Sequence, residues 1–545
     1  MVSTVLAALV GATPPQQGGK TPIDFSANTM YSARHISPDA FRLVETVQFV
    51  HEGSIMFCDS AIIFRDQNKL EAFSRVYIIV NDTVSISGEH LLYDGNNRMA
   101  ELRGKVTLVD PKMTLTTSHL IYDLGKNTAK YSTGGKIVDA ENKLLSQWGF
   151  YHVNERVFLF KGDVWLNNPE YDICSDTLKY NTQTEVAYFF GPTEIAGLRN
   201  RIFCRNGWYD TKNDLASFSK DVIFKTEEQT LTADSLFYDR NLGFGKAMGN
   251  VMITDTVQNS IVTGHYAEHF ENEKLSIVTN RAMMKHILRG DTLYLHADTL
   301  KLAFPDETEA RFVFAYNKAK MFRNDFQAMS DSLVYSFGDS IFYLYKNPIL
   351  WSEDNQLTAR QIEIRTANQK ISQAHLIDAA FIISKEDELG FNQMKGKEIV
   401  CYFEDDEIRK IVVTGSGETL YFVRDDEENN EVQGSDDPGA SKKPKGDLVG
   451  INKALAQRLV IFAEDKKITG IKFYDKPEAT LFPPDDLPEA ERKLLNFQWH
   501  DALRPKAIED IFVWKVLEIP VEDEPSETKQ DQEGPSGKSP LQERQ

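Results

Sequence analysis

The sequence predicts an all-β protein: an elongated, twisted jelly roll of stacked antiparallel strands with a 29-residue repeat. Three observations carry that expectation. The aromatics Phe64, Tyr93, Tyr122, Tyr151, Tyr180, Tyr209 and Tyr238 follow one another at intervals of 29 residues, and a fixed period of this size marks stacked supersecondary units. A second series, Ala100, Ala129, Phe158, Ala187, Ala216 and Gly245, keeps the same interval seven residues after each tyrosine. The segments that hold them alternate apolar and polar residues, the two-residue period of a half-buried strand. The frame loosens afterwards but persists through Tyr266, Leu302, Tyr335 and Ile364.

Within one unit, "SDTLKY" puts Asp176, Leu178 and Tyr180 on one face of an extended strand. Polar stretches such as "DGNNRM", "DLGKNT" and "NTQTEV" follow, with the composition of turns. A second strand carries G-x-V at Gly104–Val106, Gly162–Val164 and Gly249–Val251, and another polar turn returns the chain. Two tight turns per repeat favour an antiparallel meander over a parallel β-helix. At roughly 4.8 Å per strand, a dozen two-strand repeats would extend on the order of 100 Å. The apolar stripe then needs cover, so the sheet is expected to fold over as a flattened jelly roll or V. Its interior would be lined by Leu91, Tyr93, Leu120, Tyr122, Leu178, Tyr180, Leu236, Tyr238, Leu333 and Tyr335.

Around this array, residues 1–23 read as a signal-peptide-like N-terminus, with an apolar run ending in small residues but no basic stretch before it. Residues 24–424 are the repeat array and 425–449 an acidic insertion. Residues 450–517 are final β-repeats with a C-terminal cap, and 518–545 an acidic tail. The insertion and tail have the composition of unfolded chain, with the end of the array as the place they would cap. The net charge of −20 argues against nucleic acid as a partner. No stretch approaches the roughly 20 apolar residues that span a bilayer.

Chemistry-bearing residues add little. Cys58, Cys174, Cys204 and Cys401 are too few for a disulfide framework. Cys58 and Cys174 share one phase four repeats apart, and Cys204 falls one residue out of phase, so no bridge is expected. The recurrent Asp176, Asp234, Asp298 and Asp331 read as turn-closing residues at strand starts. His265 and His269 have the spacing of helical metal ligands, yet on a strand they stand about 13 Å apart. His90 and His119, at the repeat period, read as solvated positions. No phosphate loop, nucleophile elbow or dinucleotide fingerprint occurs. Catalytic residues, metal ligands and cofactors are therefore expected to be none, and the chain is not read as an enzyme. A carbohydrate-active β-solenoid would need clustered carboxylates on one face beyond the periodic aspartates.

The motifs "CDSAIIF", "EAFSRV", "LLYDGNNRMAELRGKV" and "SDTLKYNTQTEVAYFFGPTEI" together resemble the organic solvent tolerance-like (OstA-like) family, over roughly residues 24–423 and 450–512. That family includes the LptA-type periplasmic lipopolysaccharide-transport bridge and the N-terminal domain of its outer-membrane partner. The resemblance implies a β-taco whose interior accepts lipid A acyl chains. It also implies a periplasmic place with the outer membrane as neighbour, and inner- and outer-membrane transport components joined by edge-strand pairing. The strands of residues 24–54 are the expected docking edge. This chain departs from the short bridge in its length and its acidic insertion. A scaffold with a dry packed core that docks proteins through sheet edges is the alternative reading.

Overall fold

The computed structural model describes residues 21–515, apart from 81–82, 289, 304–310, 387–389, 405–406, 425–447 and 465–466. The expected signal peptide, insertion and acidic tail thus lie largely outside the described residues. Within them, 36 strands form one continuous antiparallel sheet, and helix is confined to three short 3-10 turns near the C-terminus. Strand follows strand as a meander: Tyr171–Asn181 pairs with Val157–Asn167 on one side and Val186–Gly197 on the other.

Each long strand bends in the middle, and the sequence shows how. Register breaks recur at the same height, between Phe73 and Val76, Arg103 and Val106, Lys161 and Val164, Ser219 and Val222, and Met248 and Val251. Each break holds two successive residues with positive φ or a glycine-led pair, including Ser74 with Arg75, Gly104 with Lys105, Gly162 with Asp163, and Gly249 with Asn250. Such bulges bend a strand and sharpen its twist. The G-x-V motif is therefore the corner of a V, with its valine the first inward residue past the bend, rather than a feature of a straight second strand. At Gly249, φ is +74° and a Cβ would stand 2.1 Å from Asp234 Oδ2, so only glycine fits without movement.

The corner also explains the recurrent carboxylates, and here the sequence expectation is corrected. Asp176, Asp234 and Asp331 sit mid-strand at the bend, whereas Asp298 stands just ahead of the strand Thr299–Ala303. Three of them meet a residue of the neighbouring corner: Asn250 Nδ2 donates to Asp234 at 3.2 and 3.1 Å, Lys318 lies 3.2 Å from Asp298, and Lys346 lies 2.9 Å from Asp331. Arg75 with Asp59 and Arg205 with Asp221 repeat the arrangement sixteen residues apart.

The bend divides every strand into two arms whose inner faces share one hydrophobic core. On the first arm the ladder aligns Tyr93, Ala100, Tyr122, Ala129, Tyr151, Phe158, Tyr180, Ala187, Tyr209, Ala216 and Tyr238 in one row. The two 29-residue series are thus neighbours in a single line, with a small residue beside most rings. Phe64 is not in that row. Ile63 pairs with Leu70, which pairs with Tyr93, while Phe64 faces outward and half-exposed. The first repeat is one residue longer, so the match of Phe64 to the 29-residue series is a coincidence of numbering. The same slip buries Cys58 and exposes Cys174. At the other end Tyr238 leads through Gly245 to His269, so Tyr266 also falls off the row, whereas Leu302, Tyr335 and Ile364 lie on it.

Sequence alternation does not reveal the C-terminal strap. After the last strands, Lys467–Tyr474 and Glu478–Phe482, residues 483–515 run back along the outer face of the second arm. Buried glutamines stitch the strap down. Gln393 donates to Arg492 O and accepts from Leu494 N, both at 2.8 Å. Gln356 donates to Gln498 O at 2.8 Å and accepts from His500 N at 2.6 Å. Gln327 accepts from Arg504 Nε at 2.7 Å, and Lys320 donates to Val513 O at 2.5 Å. Beneath the strap, Trp351, Met329 and Ile349 pack with Leu503 and Trp514, and Phe381, Ile383, Leu420 and Phe422 pack with Leu487 and Leu494.

Candidate functional site

The inner face of the V is the place where a ligand could be held. All ten residues expected to line it face inward on the first arm, in two adjacent rows. The tyrosine row is described above. The second row runs from Leu91 through Leu102 to Leu120 and, further on, Phe160, Leu178, Phe189, Gly207, Phe218, Leu236 and Ala247. It resumes at Leu300, Ala315 and Leu333. On the second arm the facing row is Leu166, Ile173, Ile195, Ile202, Phe224, Leu231 and Ile253.

Exposure along these rows is uneven. Leu91, Leu120 and Tyr122 are wholly buried, Tyr93 and Leu333 are 2% exposed and Tyr335 5%. Between those ends, Tyr180, Tyr209 and Tyr238 are half-buried, as are Ile195, Ile202, Phe224, Leu231 and Ile253 opposite them. The V is packed shut near both ends; over the strands of residues 171–255 its rim rows stand ajar, while Leu178, Phe189, Phe218 and Leu236 deeper in stay buried.

Burial raises the pKa of the tyrosine hydroxyls along the whole row, Tyr209 and Tyr238 in the middle no less than Tyr122 and Tyr335. Burial pushes the Tyr122 and Tyr335 hydroxyls up to about 12, because the phenolate would lose its hydration. The Tyr122 hydroxyl finds no partner, whereas Tyr93 meets His51 Nδ1 at 2.7 Å and Tyr131 meets Ser146 at 2.6 Å. In the middle, the Tyr209 hydroxyl donates to Asp214 at 2.9 Å and that of Tyr238 to Glu271 at the rim.

Contacts between the arms bridge the lips of the V at intervals. Near the N-terminal end His51 meets Tyr93, and Arg98 pairs with Glu52 at 2.9 Å. In the middle Arg240 pairs with Glu170 at 2.8 Å, and the Tyr171 and Tyr209 rings meet edge-on at 6.0 Å. The Glu170 carboxylate, ahead of other effects, raises the Arg240 pKa. Arg311 reaches Asp255 and Glu228, both at 2.8 Å. Beyond it His286 stacks near Tyr335 and Phe337, and Arg323 donates to Gln369 O at 2.7 Å. These bridges are oblique. Glu170 precedes the strand Tyr171–Asn181, and Arg240 follows Gln229–Asp239, the fourth strand after it.

Sequence reasoning found the first-arm rows because a strict period repeats them. It missed the second arm and the lip residues Glu170, Arg240, Glu228, Asp255 and Arg311. Their only signal is the corner: once Gly-x is read as a bend, residues beyond it belong to a facing wall.

The other singled-out residues are held in local contacts. His90 pairs with Glu71 at 2.8 Å and His119 with Glu101 at 2.9 Å on the outer face. His269 meets Ser276 at 3.0 Å. All four cysteines are free thiols, Cys174 exposed and the rest buried. Among the described residues no group of three or more His, Cys, Asp or Glu is placed to hold a metal ion, and no helix is long and apolar enough to cross a membrane.

Comparison with known proteins finds likeness over part of the chain. The family model described as OstA-like protein matches residues 23–176 and 174–234. Among solved structures, LptH from Pseudomonas aeruginosa matches at 17% identity and a TM-score of 0.17, over 20% of this chain and 74% of its own. Its title describes it as the LptA homologous periplasmic component of the conserved lipopolysaccharide transport device. No curated protein matches.

Proposed function

We propose that this chain, OstA-like over residues 23–234, is a non-catalytic periplasmic carrier in lipopolysaccharide transport that holds lipid A acyl chains inside its V. The observation that carries the reading is the set of half-exposed inner side chains between residues 171 and 255. A fold that served only to pack would bury them, as it buries Tyr93, Tyr122 and Leu333. Each acyl methylene moved out of water there contributes about 0.8 kcal/mol. Rows that repeat Leu, Tyr and Ile rung after rung offer near-equal sites, so motion along them meets low barriers. Direction must come from partners, and transport components of both membranes would meet the open strand edges, Asp24–Ser26 with Thr29–Ser32 at one end and Lys467–Tyr474 with Glu478–Phe482 at the other.

Photo-crosslinking in cells tests this reading. A photoreactive residue at Tyr209 is expected to capture lipopolysaccharide, and one at Tyr122 to capture only protein. The packed ends favour a second reading, a scaffold with a dry core. Clean protein that yields no extractable lipid, with no lipid adduct at Tyr180, Tyr209 or Tyr238, would establish that alternative instead.

A further inference from the structure

We infer that the open middle of the V is a lateral port for one acyl chain of an anionic amphiphile, with Arg240 and Arg311 as the posts that receive its head group. The inference rests on the carrier reading above and adds a place and a residue set to it.

Three observations meet at this point. The half-exposed inner residues are concentrated in the strands of residues 171–255. The turns at the rim of the same stretch hold exposed aliphatic side chains, Leu198 at 90%, Leu242 at 67% and Val257 at 52%. Such residues on tight turns contribute nothing to the core, and they extend the apolar wall outward to the lips. Two oblique arginine bridges, Arg240 to Glu170 and Arg311 to Glu228 and Asp255, bound an opening whose second-arm lip holds Leu198 and whose first-arm lip holds Leu242, with Ile195, Ile202 and Phe224 half-buried on its second-arm wall. Between the bridges four strands separate Glu170 from Glu228 on one lip, and four separate Arg240 from Arg311 on the other. At roughly 4.8 Å per strand the opening is about 19 Å long.

Charge selects the occupant. The inward rows from Tyr171 to Tyr238 consist of Leu, Ile, Val, Phe, Tyr, Ala, Gly, Ser, Thr and Cys, so the floor suits a hydrocarbon chain and rejects an ion. At the lip the two bridging cations are arginines, whose planar fork suits carboxylate and phosphate. The partner carboxylates of Glu170 and Glu228 are 59% and 58% exposed, and exposed pairs of this kind hold weakly. An incoming anionic head can therefore displace Glu170 from Arg240 without leaving a buried charge unpaired, while its chain passes Leu198 and Leu242 to Ile195, Ile202 and Phe224.

The test uses the full chain and palmitic acid bearing a diazirine on its chain, with adducts mapped by mass spectrometry after irradiation. Adducts are expected within residues 171–255. Leu198→Glu with Leu242→Glu, both on the surface and checked for unchanged melting, should lower labelling about tenfold. Arg240→Gln should lower labelling severalfold at low salt, and Glu170→Gln should raise it, because one removes the receiver and the other its competitor. A bridge that merely holds the lips together would respond alike to both substitutions, and that result overturns the inference. Adducts confined to other parts of the V would overturn the port and leave the carrier reading standing. Absence of any adduct would sink both. Repetition with a diazirine-bearing lysophosphatidic acid distinguishes a carboxylate from a phosphate head.

Discussion

The two halves of the molecule solve one problem differently. From residue 84 to 255 the repeat is strict, turns are short, and the outer face of the sheet is bare, with Val109, Tyr188, Phe190 and Ile223 partly in water. From about residue 312 onward the spacing drifts, strands lengthen to 18 residues at Glu407–Arg424, and the strap covers the outer face of the second arm. The regular half has one apolar face and leaves the rim of its V ajar over residues 171–255. The irregular half has two apolar faces on its second arm and shuts both. Two-sided burial is concentrated in the half that is closed, and accessible apolar surface in the half that repeats.

The largest expected effect strikes the strap. Trp351 is wholly buried between sheet and strap, and Trp351→Ala should cost about 3–5 kcal/mol. Hydrogen exchange should then rise in the strands from 326 to 482 while those from 84 to 255 keep their protection. Equal loosening of both halves would erase the distinction drawn here. Next comes Gln356→Ala, which strips two backbone groups of the strap of their partners at a site with no exposure. A loss of about 1–3 kcal/mol in urea unfolding is expected.

Corner chemistry gives the third test, in the regular half. Gly249→Ala forces a Cβ into a left-handed position against Asp234, and a loss of about 1–2 kcal/mol should follow. A similar change at Gly470, which has open space around it and an ordinary φ, should be nearly silent.

The fourth test is acidity. Burial lowers the pKa of His286, His296 and His500 below the ordinary value of 6.5. The unfolded chain then takes up protons at a higher pH than the folded one. Stability is full above the unfolded pKa and falls as pH drops below it. His296 touches Phe512 of the strap at 4.7 Å. Melting temperature should therefore decline between pH 7.5 and 5.5, and His296→Phe should flatten part of that decline. The smallest effect belongs to Tyr122→Phe. Its hydroxyl is buried without a partner, so removal should be neutral or gain about 1 kcal/mol.

Much of the fold was legible because the period is a geometric constant. A two-strand unit with equal turns returns the same side chain to the same height, so Tyr93 to Tyr238 announce a row. What the period hides is a small insertion, and Phe64 shows the cost: it looks in phase by number and lies off the row in space, while Tyr266, already one residue short of the period, lies off it too. Glycine in G-x-V signalled a special backbone, yet a lone sequence does not say whether that means a turn or a bend. The strap left a fainter trace. Consecutive buried residues in "FQAMS" and "ILWS" abandon alternation, which is what a strand covered on both faces does. Gln327 and Gln356, apolar in burial but polar in kind, marked positions where another backbone had to come within reach.

The oblique bridging of the lips bears on how such a molecule can change size. Glu170 and Arg240 are held together across two repeats. Excising one repeat between them, such as residues 186–214, would leave each hairpin intact but bring Glu170 opposite the neighbourhood of Glu271, a clash of like charges. Lengthening or shortening the array is thus quantised twice, once by the 29-residue rung and again by the diagonal reach of the arginines, so viable length variants should add or lose units outside a bridged pair.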